Sequence, residues 1–121
     1  MTSLRGIRGA VQVPADTVEA IDAATRELLL EMVERNGIDP STIVGAWFTQ
    51  TADLTTAPAP AAARALGWRH VPLLGAQEAS VPGDMPRVVR ALVLAPLAIE
   101  PAAVRHVYLG ETQSLRPDLH E

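Results

Sequence analysis

The stretch PADTVEAIDAATRELLLEMVERNG, residues 14–37, decides how the rest of the chain folds. Val18, Ile21, Thr25, Leu28, Leu29 and Met32 recur at helical spacing and leave the charged side chains on another face. Asp16, followed three residues later by Glu19, has the pattern of a capping box, and Gly37 supplies the stop. No other segment offers a helix of this length. A single long helix covers one face of a sheet, so the strands around it must build the remainder.

On its N-terminal side, SLRGIRGAVQV (3–13) reads as a strand. On its C-terminal side, IDPSTIVGAWFTQT (38–51) is a short turn, capped by Asp39 with Pro40 at the first helical position, that leads into a strand. TADLTTAPAPAAARALGW (51–68) holds a Pro/Ala-rich loop and a short helix over Pro60–Leu66, ended by Gly67. RHVPLLGAQEASVPGDMPRVVRALVLA (69–95) predicts strands over Val71–Ala76 and Val88–Ala95, joined by a turn around Pro82-Gly83-Asp84. IEPAAVRHVYL (99–109) repeats the turn-then-strand plan of residues 38–51, and the tail SLRPDLHE is polar and predicted to be at best partly ordered. The order β-α-β-α-β-β-β predicts an α+β fold, a mixed β-sheet covered by helices on one face. Ile43, Trp47, Val89 and Val93 are expected to leave the other face too apolar for water, which self-association would cover.

The chain of 121 residues is expected to form a single domain over 1–121. It has no cysteine, so disulfides and thiolate chemistry are excluded. A net charge of -4 and only two Trp, one Tyr and one Phe argue against a nucleic-acid partner. The longest apolar run, ALVLAPLAI (91–99), is too short to span a bilayer, and MTSLRGIRGA lacks the apolar core of a signal peptide. The expectation is a soluble, cytoplasmic protein without a membrane partner. All ten basic residues are Arg, so every cation is a planar fork that grips carboxylates through paired hydrogen bonds.

Three of those arginines, Arg5, Arg8 and Arg90, interrupt strands. Alternation places Leu4, Gly6, Arg8, Ala10 and Gln12 on one face of the first strand, where neither Gly6 nor Ala10 can cover Arg8. Arg5, on the other face, reads as an ordinary solvated or ion-paired residue. Arg90 interrupts the face of Val88, Leu92 and Leu94, and such a charge must meet a carboxylate. Glu78, just past a strand end, is one partner, in a buried pair that only fixes the fold; a ligand is the other. Tyr108 shares a strand face with His106 and Val104, as a core residue or as a hydroxyl donor. His70, His106 and His120 lack zinc-ligand spacing, and no phosphate loop or nucleophile elbow is present. What remains is an anion-binding cleft made of Arg, Glu and Tyr.

RGIRGA (5–10), VPLLGAQE (71–78), VVRALVL (88–94), RHVYL (105–109) and LRPDL (115–119) occur in that order. With the Asp-Leu of TADLTTA and Arg64-Ala65-Leu66-Gly67, they resemble the trimeric α/β class of chorismate mutases and not its all-helical class. The resemblance implies a homotrimer with a pseudo α/β-barrel-like β core and active sites at the subunit interfaces. It implies rearrangement of chorismate to prephenate, in the shikimate pathway toward phenylalanine and tyrosine, with no cofactor, metal or covalent intermediate. Arg90 would stabilise the charge on the ether oxygen, Arg8 would hold a carboxylate with help from Tyr108, and Glu78 would accept a hydrogen bond from the ring hydroxyl. Leu74, Gly75, Ala76 and Gln77 would line the pocket. Arg64, Leu115 and Arg116 would reach in from the neighbouring subunit. Two other readings stay open: a small trimeric imine or enamine deaminase, and a catalytically silent trimer that binds an aromatic-pathway metabolite.

The chain departs from the family pattern at three places. Where the family often has Phe-Pro-Ala before the short helix, it reads Ala57-Pro58-Ala59-Pro60; Ala61 stands where a charged residue is common, and Gly75 where a small polar one is. The resemblance therefore implies a weaker grip on substrate and an unchanged reaction. Pro58→Phe is expected to lower the Michaelis constant for chorismate with turnover held, as steady-state kinetics would show.

Overall fold

Alternation along β1 (Ser3–Gln12) sends Ile7, Gly9 and Val11 to one face and Leu4, Gly6 and Arg8 to the other. The computed structural model describes residues 3–116. After β1 come α1 (Val18–Asn36), β2 (Gly45–Gln50), α2 (Pro60–Ala65), β3 (Leu73–Gln77), β4 (Val88–Leu97) and β5 (Val107–Tyr108), with 3-10 turns at Pro40–Thr42, Pro101–Ala103 and Gly110–Leu115. This is the predicted order of strands and helices. The sheet runs β3-β2-β4-β1-β5. β4 is antiparallel to both β1 and β2, while the outer pairs β2–β3 and β1–β5 are parallel, so the sheet is mixed as expected.

Several boundaries differ from the reading of the sequence. The α1 cap is Thr17, whose hydroxyl accepts from the Ala20 N–H at 3.1 Å. Asp16, expected in that role, turns instead to the loop after β2 and accepts from Thr55 and Thr56. The helix does end at Gly37, in the left-handed region at φ 61°. Asp39 caps its turn by accepting from the Ser41 N–H at 3.0 Å, whereas Glu100 caps nothing with its side chain, so the two turn-then-strand segments are alike only in backbone. β3 begins two residues later than predicted, because Pro72 has no N–H to donate. The expected tail beyond Arg116 lies outside the described residues.

The helices pack on one face, over Ile7, Val11, Phe48, Val89, Val93 and Val107. Ile43, Val89 and Val93 are therefore core residues, contrary to the expectation that they face outward; among the four residues named, only Trp47 does. The reason is phase: Val89 and Val93 alternate with Arg90 and Leu92, and the arginine faces out. The open face instead shows Leu4, Trp47, Leu74 and Leu92, which are 53%, 42%, 61% and 42% exposed. Register aligns Arg8, Leu92, Trp47 and Leu74 in one row across four strands, and Tyr108, Ala10, Arg90, Thr49 and Ala76 in the next. Arg5 is not a free surface residue: its Nε donates to the Ile99 carbonyl at 2.7 Å, closing the end of the sheet. Among the described residues, no helix is long and apolar enough to cross a membrane.

Gly9 sets how closely α1 lies on the sheet. A Cβ at this position would come within 2.6 Å of Met32 Sδ and 2.9 Å of Leu28 Cδ1. Gly9→Ala is expected to destabilise the fold by about 1–3 kcal/mol through overpacking, read from the midpoint of urea unfolding.

Candidate active site

Arg90 is flanked in register by Ala10 on β1 and Thr49 on β2, so the small neighbour leaves its guanidinium open to the outside. Glu78 follows the end of β3, fixed by its N–H to the Gln50 carbonyl at 2.8 Å. Its Oε1 lies 3.6 Å from Arg90 Nε, and its Oε2 accepts from the Thr49 hydroxyl. At 3.6 Å the charges attract without a formed hydrogen bond. The side chains are 39% and 28% exposed, so this is not the buried pair that sequence reasoning allowed for. At such exposure an ion pair adds little to stability. Thr49 keeps Glu78 in place, and Arg90 stays available to an anion.

Arg8 lies diagonally across from Arg90 on the same face, since Arg8 pairs with Leu92 and Ala10 with Arg90. Its side chain is exposed and pairs with no carboxylate among the described residues. Its backbone N–H donates to His106 Nδ1 at 2.9 Å. The parallel ladder from β5 covers only Gly9 and Ala10, so the imidazole serves the next amide along the strand. Burial, and then the charges of Arg8 and Arg116, hold the His106 pKa below its ordinary 6.5.

Tyr108 is buried against Ala10 and Val88, with Met85 and Leu115 packed around them. The Thr112 hydroxyl, within 2.6 Å of the Leu109 carbonyl and 3.1 Å of that of Ala10, holds the Gly110–Leu115 turn to β1. Leu115 and Arg116 thus stand beside Tyr108 and His106 of their own chain, not across an interface from them as the resemblance implied.

The remaining expected residues gather elsewhere. A cavity of ≈ 680 Å³ opens at the β3 edge, walled by Leu74, Gly75, Ala76 and Gln77 on one side and by Pro58 and Arg64 on the other. Arg8, Arg90, Glu78 and Tyr108 do not line it. One chain therefore presents two separate features: an arginine-bearing sheet face, and a cavity between β3 and α2. Pro60 sits over Gly75, where a Cβ would come within 3.0 Å of its ring. Sequence reasoning missed the roles of Thr49, His106, Thr112 and Asp16, which have partners far away in the chain, and that of Gln50, whose side-chain partners Leu54, Ala57 and Ala59 follow it in the next loop. Gln50 alone carried a signal, as a polar residue continuing the buried face of Ala46 and Phe48. Among the described residues, no group of three His, Cys, Asp or Glu side chains is placed to hold a metal ion.

Fold and site together define a small α+β protein whose helix-free sheet face carries guanidinium groups next to a carboxylate and a tyrosine. Its residues 4–119 match the family model of type I chorismate mutase, and the chain belongs to that family. It is 53% identical over 117 residues to the chorismate mutase AroH of Thermus thermophilus, covering 96% of each chain. It is 37% identical to the AroH of Bacillus subtilis (strain 168), over 96% of this chain and 92% of that one. A chorismate mutase structure from Clostridium thermocellum superposes with a TM-score of 0.88 at 35% identity, covering 90% of this chain and 97% of the other.

In an NMR titration, His106 is expected to protonate below 6.5. Because the folded value is depressed, the unfolded chain takes up this proton first as pH falls. His106 therefore lowers stability progressively below the ordinary imidazole pKa, levels off beneath its folded value, and has no effect well above both. His106→Gln should flatten that part of the stability–pH curve.

Proposed function

We propose that the protein is a chorismate mutase, an isomerase that converts chorismate to prephenate in phenylalanine and tyrosine biosynthesis. The observation that carries this reading is Arg90 beside Glu78, with Arg8 diagonally across on the same open sheet face. Diagonal neighbours on a sheet are about 7–8 Å apart at the backbone, within reach of one small dianion for two long side chains.

The chemistry needs no nucleophile. The enolpyruvyl arm of chorismate must fold over the ring before its carbons meet, and gripping both carboxylates holds that form. Positioning of this kind contributes up to about 7–11 kcal/mol in well-oriented systems. The C–O bond breaks ahead of C–C bonding, so negative charge gathers on the ether oxygen. Arg90 stabilises that charge, and it favours the transition state over the ground state. Arg8 grips a carboxylate with the Tyr108 hydroxyl, and Glu78, oriented by Thr49, accepts from the ring hydroxyl. Leu115 and Arg116 act with the subunit that supplies Tyr108.

The second half-site, the cavity, belongs to a neighbouring copy in a homotrimer. Two features support this assembly: the exposed apolar row through Leu92, Trp47 and Leu74, and the separation of Arg64 and its cavity from Arg8 and Arg90 within one chain. In the trimer, Arg64 and the strand Leu74–Gln77 of one subunit complete the site built on the sheet face of the next. The cytoplasm is the proposed place of action.

The test is disappearance of chorismate's ultraviolet absorbance, with light scattering to weigh the assembly. Turnover by a trimer is expected; binding without turnover selects a silent metabolite-binding protein, and activity on imino acids selects a deaminase. Arg90→Gln is expected to cut kcat by on the order of 10³-fold while weakening substrate binding far less. A variant within a few-fold of the parent would refute charge stabilisation by Arg90.

A further inference from the structure

The cavity wall that precedes α2 is made of residues poorly suited to holding themselves in place. TADLTTAPA (51–59) contains one large apolar side chain, Leu54, and composition alone would give a mobile loop. Fixing each residue costs roughly 1–2 kcal/mol of backbone entropy, which side-chain burial here cannot offset.

Gln50 supplies the missing constraint. Its Nε2 donates to the carbonyls of Leu54 at 3.0 Å and Ala57 at 2.9 Å, and its Oε1 accepts from the Ala59 N–H at 2.8 Å. Both amide hydrogens are thereby used, so this side chain has no donor left for a ligand. It is half-buried at the end of β2, where an unsatisfied amide would be costly and the three bonds are correspondingly firm. Asp16 ties the outer flank by accepting from the amides and hydroxyls of Thr55 and Thr56. The Gln50 backbone carbonyl meanwhile receives the Glu78 N–H at 2.8 Å. One residue therefore indexes both half-sites, Glu78 through its main chain and the cavity wall through its side chain.

We infer that Gln50 is a positioning residue that forms the 51–59 wall before substrate arrives, so that binding does not have to order this loop. This inference rests on the chorismate mutase reading. Because the Glu78 contact uses the backbone, side-chain substitutions at 50 act on the wall alone.

The decisive variants are Gln50→Met, which keeps length and volume without the hydrogen bonds, and Gln50→Glu, which keeps the acceptor but sets a carboxylate against two carbonyls. Each is expected to raise the Michaelis constant for chorismate about tenfold with kcat within about twofold of the parent. Amide hydrogen exchange should accelerate at residues 54–59 and stay unchanged in β1, β2 and β4. If the methionine variant fails to fold, the glutamate variant decides. A Michaelis constant within about twofold of the parent overturns the inference, as does exchange that accelerates across the whole sheet, since that marks general stabilisation. A parent enzyme inert toward chorismate overturns the functional reading and this inference with it; an active parent with insensitive variants overturns this inference alone.

Discussion

The antiparallel ladder between β1 and β4 governs both the packing and the chemistry of this protein. Ten residue pairs run from Ser3–Leu97 to Gln12–Val88, and their phase sends Ile7, Val11, Val89 and Val93 into the core while Arg8 and Arg90 face outward. A shift of one residue would reverse every side chain of the slipped strand, burying a guanidinium and exposing aliphatic groups. The same hydrophobic burial that stabilises the sheet thus dictates which way two charges point. β2 extends the pattern through Thr49, which reaches Glu78 and keeps the carboxylate beside Arg90.

Charge on this face is left only partly satisfied. Arg5 and Arg87 donate to main-chain carbonyls, and Arg26 and Arg35 pair with acids one turn away on α1. Arg90 has a carboxylate within attraction but outside hydrogen-bond contact, and Arg8 has none among the described residues. The division follows the architecture: arginines that close the fold donate to oxygens in hydrogen-bond contact, whereas on the helix-free face Arg90 has only the more distant Glu78 carboxylate and Arg8 has no acid among the described residues.

Much of this could be read from the sequence because it is local. The spacing of Ile21, Leu28, Leu29 and Met32 specifies α1, Gly37 ends it, and Asp39-Pro40 starts the turn before β2. Alternation alone put Arg8 and Arg90 on faces of their own. Strand order was not legible, since it depends on pairings between residues some eighty positions apart in the chain. That is why the roles of Thr49 and His106 went unseen, whereas the wrong face for Val89 and Val93 was a matter of local phase against Arg90 and Leu92. Asp16 misled for a related reason: its carboxylate suits a helix cap, but the cap is Thr17, and four donors on Thr55 and Thr56 hold Asp16 instead.

The contact between Pro60 and Gly75 carries a consequence for how this site can be changed. A first side-chain carbon at 75 would lie 3.0 Å and 3.2 Å from two carbons of the proline ring, a contact tight enough that the ring would have to give by a few tenths of an ångström. A side chain on β3 at this position would therefore be taken up by a small displacement of the proline on α2. The two positions are thus sterically coupled, and a chimera that imports one without the other inherits a crowded contact at the cavity wall.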